Sequence, residues 1–285
     1  MSAIVNARLK GARWPMNYSA DVRNDRAPDL SLVVPTFNER EGLSDLVTAL
    51  YDVANRSGMA LEVIVVDDNS PDGTGALADE LTGIHPMRVV HRPARAGLGT
   101  AAMAGFAAAT ADTVGVMDAD MSHPPSLLPA MFAVSRASRA DFVVASRYVP
   151  GGGTPGWPLR RRIASRFACW LARPLTPVRD ATSGFFVMPR AIATSVAIKA
   201  GGFKIGLELL MRARPTTLVE VPYQFRDRRA GQSKMNTREA FGYLVQLKDL
   251  YLIRWSTFGR RTVRHEAWSL AEVDRAITTQ LKTQP

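Results

Sequence analysis

The sequence predicts an α/β fold, a mostly parallel sheet flanked by helices, with an amphipathic helix appended near the C-terminal end. Three observations carry that expectation. From Leu30 onward short β-branched apolar runs alternate with helical patterns, and Gly, Pro and Asn punctuate the joins. Over 285 residues, 46% apolar and 22% charged content describes an ordinary folded chain and excludes disorder as the main state.

The elements follow in order. Candidate strands are Ser31–Val34, Leu61–Val66, Met87–Val90, Thr113–Met117 and Asp141–Ala145. Helical segments lie between them near Glu41–Ser57, Gly75–Leu81, Thr100–Thr110 and Ser126–Ser135. After Arg147 comes a glycine-rich loop, Tyr148 to Pro158, then a basic helix from about Leu159 to Ala172. Strands at Gly184–Met188 and Leu218–Val221 bracket helical segments near Arg190–Ile198 and Gly206–Arg214. A last helix runs from after Asn236 to about Trp255, with a polar tail behind it. Residues 1–29 read as a loose tail, 30–236 as one domain and 237–285 as a helical appendage. The longest run without Lys, Arg, Asp or Glu, Ala96 to Ala111, is 16 residues of mostly Ala and Gly, too short and too weakly apolar for a bilayer span. Residues 1–30 offer no signal-peptide pattern, and the single Cys169 allows no intrachain disulfide, so a cytoplasmic setting is expected.

Ligands in parallel sheets collect where the carboxyl ends of the strands meet the following loops, so the chemistry is sought there. The first strand ends in Pro35-Thr36-Phe37-Asn38-Glu39 and the second in Asp67-Asp68-Asn69-Ser70-Pro71-Asp72-Gly73. Carboxylates in such places face a ligand, a cation or a helix N-terminus, or else they serve the turn, as Asn-Ser-Pro-Asp-Gly and a capping Asp72 would. The fourth strand runs into Asp118-Ala119-Asp120-Met121-Ser122-His123. Two carboxylates one residue apart can converge on a hard divalent cation, Mg²⁺ or Mn²⁺, that holds a diphosphate; a plain surface turn is the alternative. His123, beside two prolines, reads as a hydrogen-bonded structural histidine, and the Gly/Ala run Gly97 to Ala109 as close packing of helix on sheet.

Charge divides the chain. Residues 1–146 carry 12 basic and 17 acidic side chains, net −5; residues 147–285 carry 24 and 9, net +15. The positive half holds Arg147, Arg160 to Arg162, Arg166, Arg226, Arg228, Arg229 and Lys234. On a helix Arg161 and Ser165 share one face, so a guanidinium and a hydroxyl could grip one phosphate; a solvated basic face is the alternative. The last helix offers Phe241, Leu244, Leu247, Tyr251 and Trp255, then Phe258, Arg260 and Arg261, a pattern that suits either a membrane interface or packing on the domain.

Taken together, Val34 to Glu39, Val66 to Thr74, Leu98-Gly99-Thr100-Ala101, Asp118 to Pro124 and Ser146-Arg147-Tyr148 resemble the family-2 glycosyltransferases of GT-A (Rossmann-like) fold. Gly156-Trp157 with Arg161 and Ser165, Thr182 to Phe185, Gly202 to Ile205 and Gly231 to Lys234 look like the dolichol-phosphate (polyprenyl-phosphate) mannosyltransferase branch. The resemblance implies inverting transfer of mannose from GDP-mannose to a polyprenyl monophosphate by a peripheral enzyme at the cytoplasmic face of a membrane. It places the nucleotide on Pro35, Phe37, Glu39, Val66 and Asp68, with Ala119 against the donor. Mg²⁺ or Mn²⁺ falls to Asp118 and Asp120, with Ser122 as third ligand, and the lipid phosphate to Arg147, Arg161 and Ser165. Arg147, Arg228 and Lys234 would neutralise donor and acceptor phosphates, so Asp120, Arg147 and Arg228 are the expected catalytic residues. Phe37 and Ser122 depart from the family pattern, which often has Tyr and Gln there. The loop Pro150 to Gly156 reads as a flexible lid over the acceptor, or as a plain surface connection. Partners expected are the nucleotide sugar, the lipid phosphate and a membrane surface or small membrane protein, not nucleic acid. The rival readings are a polyprenyl-phosphate glucosyltransferase using UDP- or GDP-glucose and a catalytically dead basic membrane-binding module.

Overall fold

Eight strands form one sheet in a computed structural model that describes residues 26–198, 204–225, 237–256 and 262–283. They are β1 (Leu30–Thr36), β2 (Leu61–Asp67), β3 (Met87–His91), β4 (Thr113–Val116), β5 (Phe142–Ser146), β6 (Phe186–Pro189), β7 (Thr217–Pro222) and β8 (Arg264–Ala267). The order is β3-β2-β1-β4-β6-β5-β7-β8, and every neighbouring pair is parallel except those made by β6, which runs antiparallel between β4 and β5. Strand order reverses at β1, so the carboxyl ends of β1 and β4 flank a crevice of the kind in which such sheets bind ligands.

Strand periodicity sorts the core. In β1 and β2, Leu30, Leu32, Val34, Leu61, Val63 and Val65 face one layer, while Val33, Ile64 and Val66 face the other. The first layer receives α1 (Arg40–Ser57), α2 (Thr74–Thr82) and α4 (Leu128–Ser138). The second receives α3 (Leu98–Ala108) and, farther along the chain, Ile205 and Leu209. Helix α3 lies close to the sheet because residue 105 is glycine: a Cβ there would overlap the branched carbons of Val33. The Gly/Ala run is therefore packing, as its sequence suggests.

Beyond β5 come α5 (Leu159–Ala172), the single turn α6 (Arg190–Ala193), α7 (Ile205–Arg212), α8 (Thr237–Ser256) and α9 (Leu270–Thr283). The helix expected over Arg190–Ile198 stops after one turn. Thr194 and Ser195 donate their hydroxyls to the carbonyls of Arg190 (2.9 Å) and Ile192 (2.8 Å), a local bonding that competes with helix continuation. The polar tail expected after α8 is also corrected: β8 adds to the sheet edge beside β7, and α9 packs on α4. Ser269 and Glu272 form a reciprocal capping box at the start of α9, with the Ser269 hydroxyl donating to Glu272 at 2.7 Å. Helix α8 packs Tyr243, Leu247 and Leu250 against a cluster that includes Ala172 and Leu175 at the end of α5.

Candidate active site

The loops after β1 and β2 build the first wall of the crevice. Asn38 takes the left-handed conformation (φ 59°), the Glu39 N–H donates to Thr74 Oγ1 at 3.0 Å, and the Arg95 guanidinium lies 4.2 Å from the Phe37 ring centroid. Pro35 is half-buried and Val66 is fully buried beneath. Asp68 is buried and accepts a 2.6 Å hydrogen bond from Arg92, which also donates to Thr100 Oγ1 at 2.7 Å. Parallel register explains the pair: Asp67 lies opposite His91, so the next residues leave the sheet side by side. Asp67 and Asp72 serve the turns. Asp67 accepts the Ser70 N–H at 3.1 Å, and Asp72 accepts the N–H groups of Thr74 (2.9 Å) and Arg40 (3.2 Å).

The loop after β4 carries the acidic pair. Met117 donates its N–H to Val33, Ala119 is buried, and Met121 turns the chain with φ 59°. That turn lets the Ser122 N–H reach Asp120 Oδ1 at 3.0 Å. The Asp118 side chain stays 39% exposed, with His123 Nε2 3.3 Å from its Oδ2. Because β6 runs antiparallel to β4, Gly184 comes against the same carboxylate; a Cβ there would sit 2.9 Å from Asp118 Oδ2. Among the described residues no three His, Cys, Asp or Glu side chains are grouped as a closed metal cage. Two partly exposed carboxylates on one turn fit a hard divalent cation whose remaining positions go to water and diphosphate oxygens, the way Mg²⁺ is usually held.

Across the crevice the residues are basic and aromatic. Arg147, at the end of β5, is buried and engages Asp180 through Nε (2.7 Å) and an Nη (2.6 Å), with Thr182 Oγ1 at 3.0 Å. Burial opposes the charge on Arg147, but the Asp180 carboxylate more than offsets it and raises the guanidinium pKa. Burial likewise pushes Asp180 upward, and Arg147 overrides it to hold the carboxylate below its usual range. The same surroundings, burial first and then Asp180, push the Cys169 thiol up to about 11. On α5 the Arg161 guanidinium stacks 3.9 Å from the Trp157 centroid, and Ser165 accepts the Tyr148 hydroxyl at 2.7 Å. Trp157 meets Phe225 at 4.9 Å, and Phe225 meets His123 at 6.1 Å, so one aromatic wall runs from the acidic turn to the α5 cation. Arg228 and Lys234 lie outside the described residues, as do Gly202, Phe203 and Gly231 to Ser233.

Residues 150–156 take the form of a surface connection. The Gly153 N–H donates to Tyr223 and its carbonyl accepts from Phe225, while Gln224 donates to the Gly151 carbonyl, so the loop is tied to the strand end beside it. Sequence reasoning missed Arg92, Asp180 and Glu220. The first was readable once β2 and β3 are paired; the second answers a general demand, since an arginine at the end of an apolar strand needs a buried acid.

An open switch-point crevice with an acidic turn on one side and arginines on the other has the charge arrangement that suits a phosphorylated ligand. The chain belongs to glycosyl transferase family 2, whose model matches residues 31–207, and it is a glycosyltransferase. It is 36% identical over 231 residues to the dolichol-phosphate mannosyltransferase of Pyrococcus furiosus, covering 79% of this chain and 64% of that protein, so it spans less than two thirds of that relative's length. It is 39% identical over 224 residues to the polyprenol monophosphomannose synthase of Mycolicibacterium smegmatis, covering 73% of this chain and 83% of that protein. The crystal structure of glucosyl-3-phosphoglycerate synthase from Mycobacterium tuberculosis, with Mn²⁺, UDP and glucosyl-3-phosphoglycerate, matches with a TM-score of 0.59 at 20% identity. That match covers 89% of this chain and 84% of the other, and at this identity it speaks for the fold.

Proposed function

We propose that the protein transfers mannose from GDP-mannose to a polyprenyl monophosphate with inversion at the anomeric carbon. The observation that carries this reading is the continuous aromatic wall joining the Asp118–Asp120 turn to Arg161 and Ser165, which supports a diphosphate on the acidic turn and a second phosphate at Arg161 along one crevice. Relatives at 36% and 39% identity that are named for dolichol-phosphate and polyprenol mannose transfer support the substrate pair.

In this reading Pro35, Phe37, Glu39, Val66 and Asp68 bind the nucleotide, and Ala119 lies against the donor. Asp118 and Asp120, with Ser122, would hold Mg²⁺ or Mn²⁺, and the Mn²⁺ named with the Mycobacterium tuberculosis enzyme supports a divalent ion. A bound divalent ion would stabilise the charge that develops on departing GDP. Arg161 and Ser165 orient the lipid phosphate, while Arg147, Arg228 and Lys234 reduce the repulsion between two approaching anions. A phosphate monoester has a second pKa of about 6 and arrives largely deprotonated, so the protein needs no general base.

Such a lipid brings the enzyme to a bilayer. Of the large hydrophobic side chains exposed among the described residues, all but Ile84 and Val263 lie on α5 and α8. Leu159, Ile163, Phe167 and Trp170 form one stripe on α5, flanked by Arg160, Arg162 and Arg166, and on the face opposite Arg161 and Ser165. Phe241, Leu244, Val245, Leu252 and Trp255 form the outer face of α8. These faces support a peripheral seat on an anionic membrane surface, and no helix among the described residues is long and apolar enough to cross one.

Asp120→Ala should reduce transfer on the order of 10²–10³-fold with the melting temperature unchanged. Removing divalent ions with a chelator should abolish wild-type transfer, and adding Mg²⁺ or Mn²⁺ should restore it. Full transfer by Asp120→Ala under chelation would refute the assignment.

A further inference from the structure

Glu220 is a charged residue to which the transfer reading gives no task. It sits within β7 with no exposed surface, a costly place for a carboxylate unless it is fully hydrogen-bonded. Its partners come from two directions. Glu220 accepts the backbone N–H of Arg179 at 2.9 Å and that of Asp180 at 3.1 Å, and His265 Nε2 from β8 lies 2.9 Å from its Oε2. The Asp180 side chain, itself fully buried, then grips Arg147 by two side-chain bonds and accepts the Arg147 N–H at 2.9 Å. One line of contacts thus runs from the edge strand β8 through β7 to the arginine of the crevice, and both Glu220 and His265 lie beyond the residues that the family model matches.

We propose that Glu220, braced by His265, is a positioning residue for Arg147: by fixing the backbone of Arg179 and Asp180 it holds the guanidinium where the lipid phosphate is read. The proposal rests on the phosphate role given to Arg147 above. Its logic is that a bidentate pair orients a guanidinium only as firmly as the carboxylate is itself held. Asp180 is on a loop, and Glu220 ties that loop to β7, a strand paired on both sides within the sheet.

The chain contains its own reporter. Cys169 is the single cysteine, it is buried, and its Sγ lies 3.3 Å from Thr182 Oγ1 and 3.8 Å from Asp180 Oδ1, so loosening of this loop exposes it. In the full chain, His265→Ala should raise the KM for a short polyprenyl phosphate about tenfold, leave the KM for GDP-mannose within about twofold, and accelerate maleimide labelling of Cys169. His265→Gln, whose amide N–H can still donate to Glu220, should return both readouts toward wild type. Glu220→Gln, which turns one acceptor into a donor facing a backbone N–H, should reproduce the selective loss even if His265→Ala proves too unstable to assay. An unchanged acceptor KM, equal rises for both substrates, or His265→Gln behaving like His265→Ala would overturn the proposal. If the wild-type protein uses no polyprenyl phosphate, the functional reading fails instead; unchanged Cys169 labelling in His265→Ala then overturns the brace, and accelerated labelling upholds it.

Discussion

Arg147 and Asp180 show how one buried pair can serve both stability and chemistry. Neither charge survives burial alone, so truncating Asp180 strands a guanidinium in a closed aromatic setting. Asp180→Ala should cost about 3–5 kcal/mol, read as a clear fall in melting temperature and a loss of transfer. Acid should act through the same residue. Its folded pKa lies below the unfolded value of about 3.9, so its stabilisation is present above that value and is lost as pH falls through the folded one. Acid unfolding of Asp180→Asn should lack that contribution, and a variant with wild-type acid dependence would contradict the pairing. At this scale the sequence made Arg147 legible, because it follows an apolar strand, but not its partner. Asp180 is 33 residues away in an irregular segment, and only the fold brings the two together.

Helix α5 shows what an element adds to its residues. Its inner face holds Arg161, Ser165 and Cys169, its outer face Leu159, Ile163, Phe167 and Trp170, and its edges carry the remaining arginines. Under the proposed function, one face would hold the lipid phosphate while the other lies in the interface, an arrangement that suits an acceptor whose headgroup and chain are in different phases. The double variant Phe167→Ser, Trp170→Ser should weaken co-flotation with vesicles containing anionic lipid by about tenfold or more, given roughly 1.5–3 kcal/mol for each large apolar side chain buried. Equal flotation of variant and wild type would remove α5 from the interface. Helical spacing made Arg161 and Ser165 readable as a pair before any fold was known. β8 was not readable, since four residues, Arg264 to Ala267, show no alternation. The capping box at Ser269 and Glu272 was a legible sign that α9 follows, and it breaks the reading of those residues as a tail.

Across the whole molecule the division into a −5 half and a +15 half acquires a shape. The acidic half supplies the ends of β1, β2 and β4, and the basic half supplies Arg147 directly after β5, helix α5, and Trp157 and Phe225 of the aromatic wall. The sheet joins the halves through β6, which returns antiparallel beside β4 and brings Gly184 against Asp118. The parallel strands and their loops were readable from apolar runs and turn residues. The ion pairs Asp68–Arg92 and Arg147–Asp180 depend on which strand ends become neighbours, and that is set by strand order. The most direct test of the transfer reading is a panel of GDP-mannose, GDP-glucose and UDP-glucose, each incubated with a short polyprenyl phosphate and Mg²⁺ or Mn²⁺, with product read as lipid-linked sugar. The account predicts lipid-linked mannose from GDP-mannose, formed with inversion and only with the divalent ion; glucose transfer in its place, or no lipid-linked product from any donor, would contradict it.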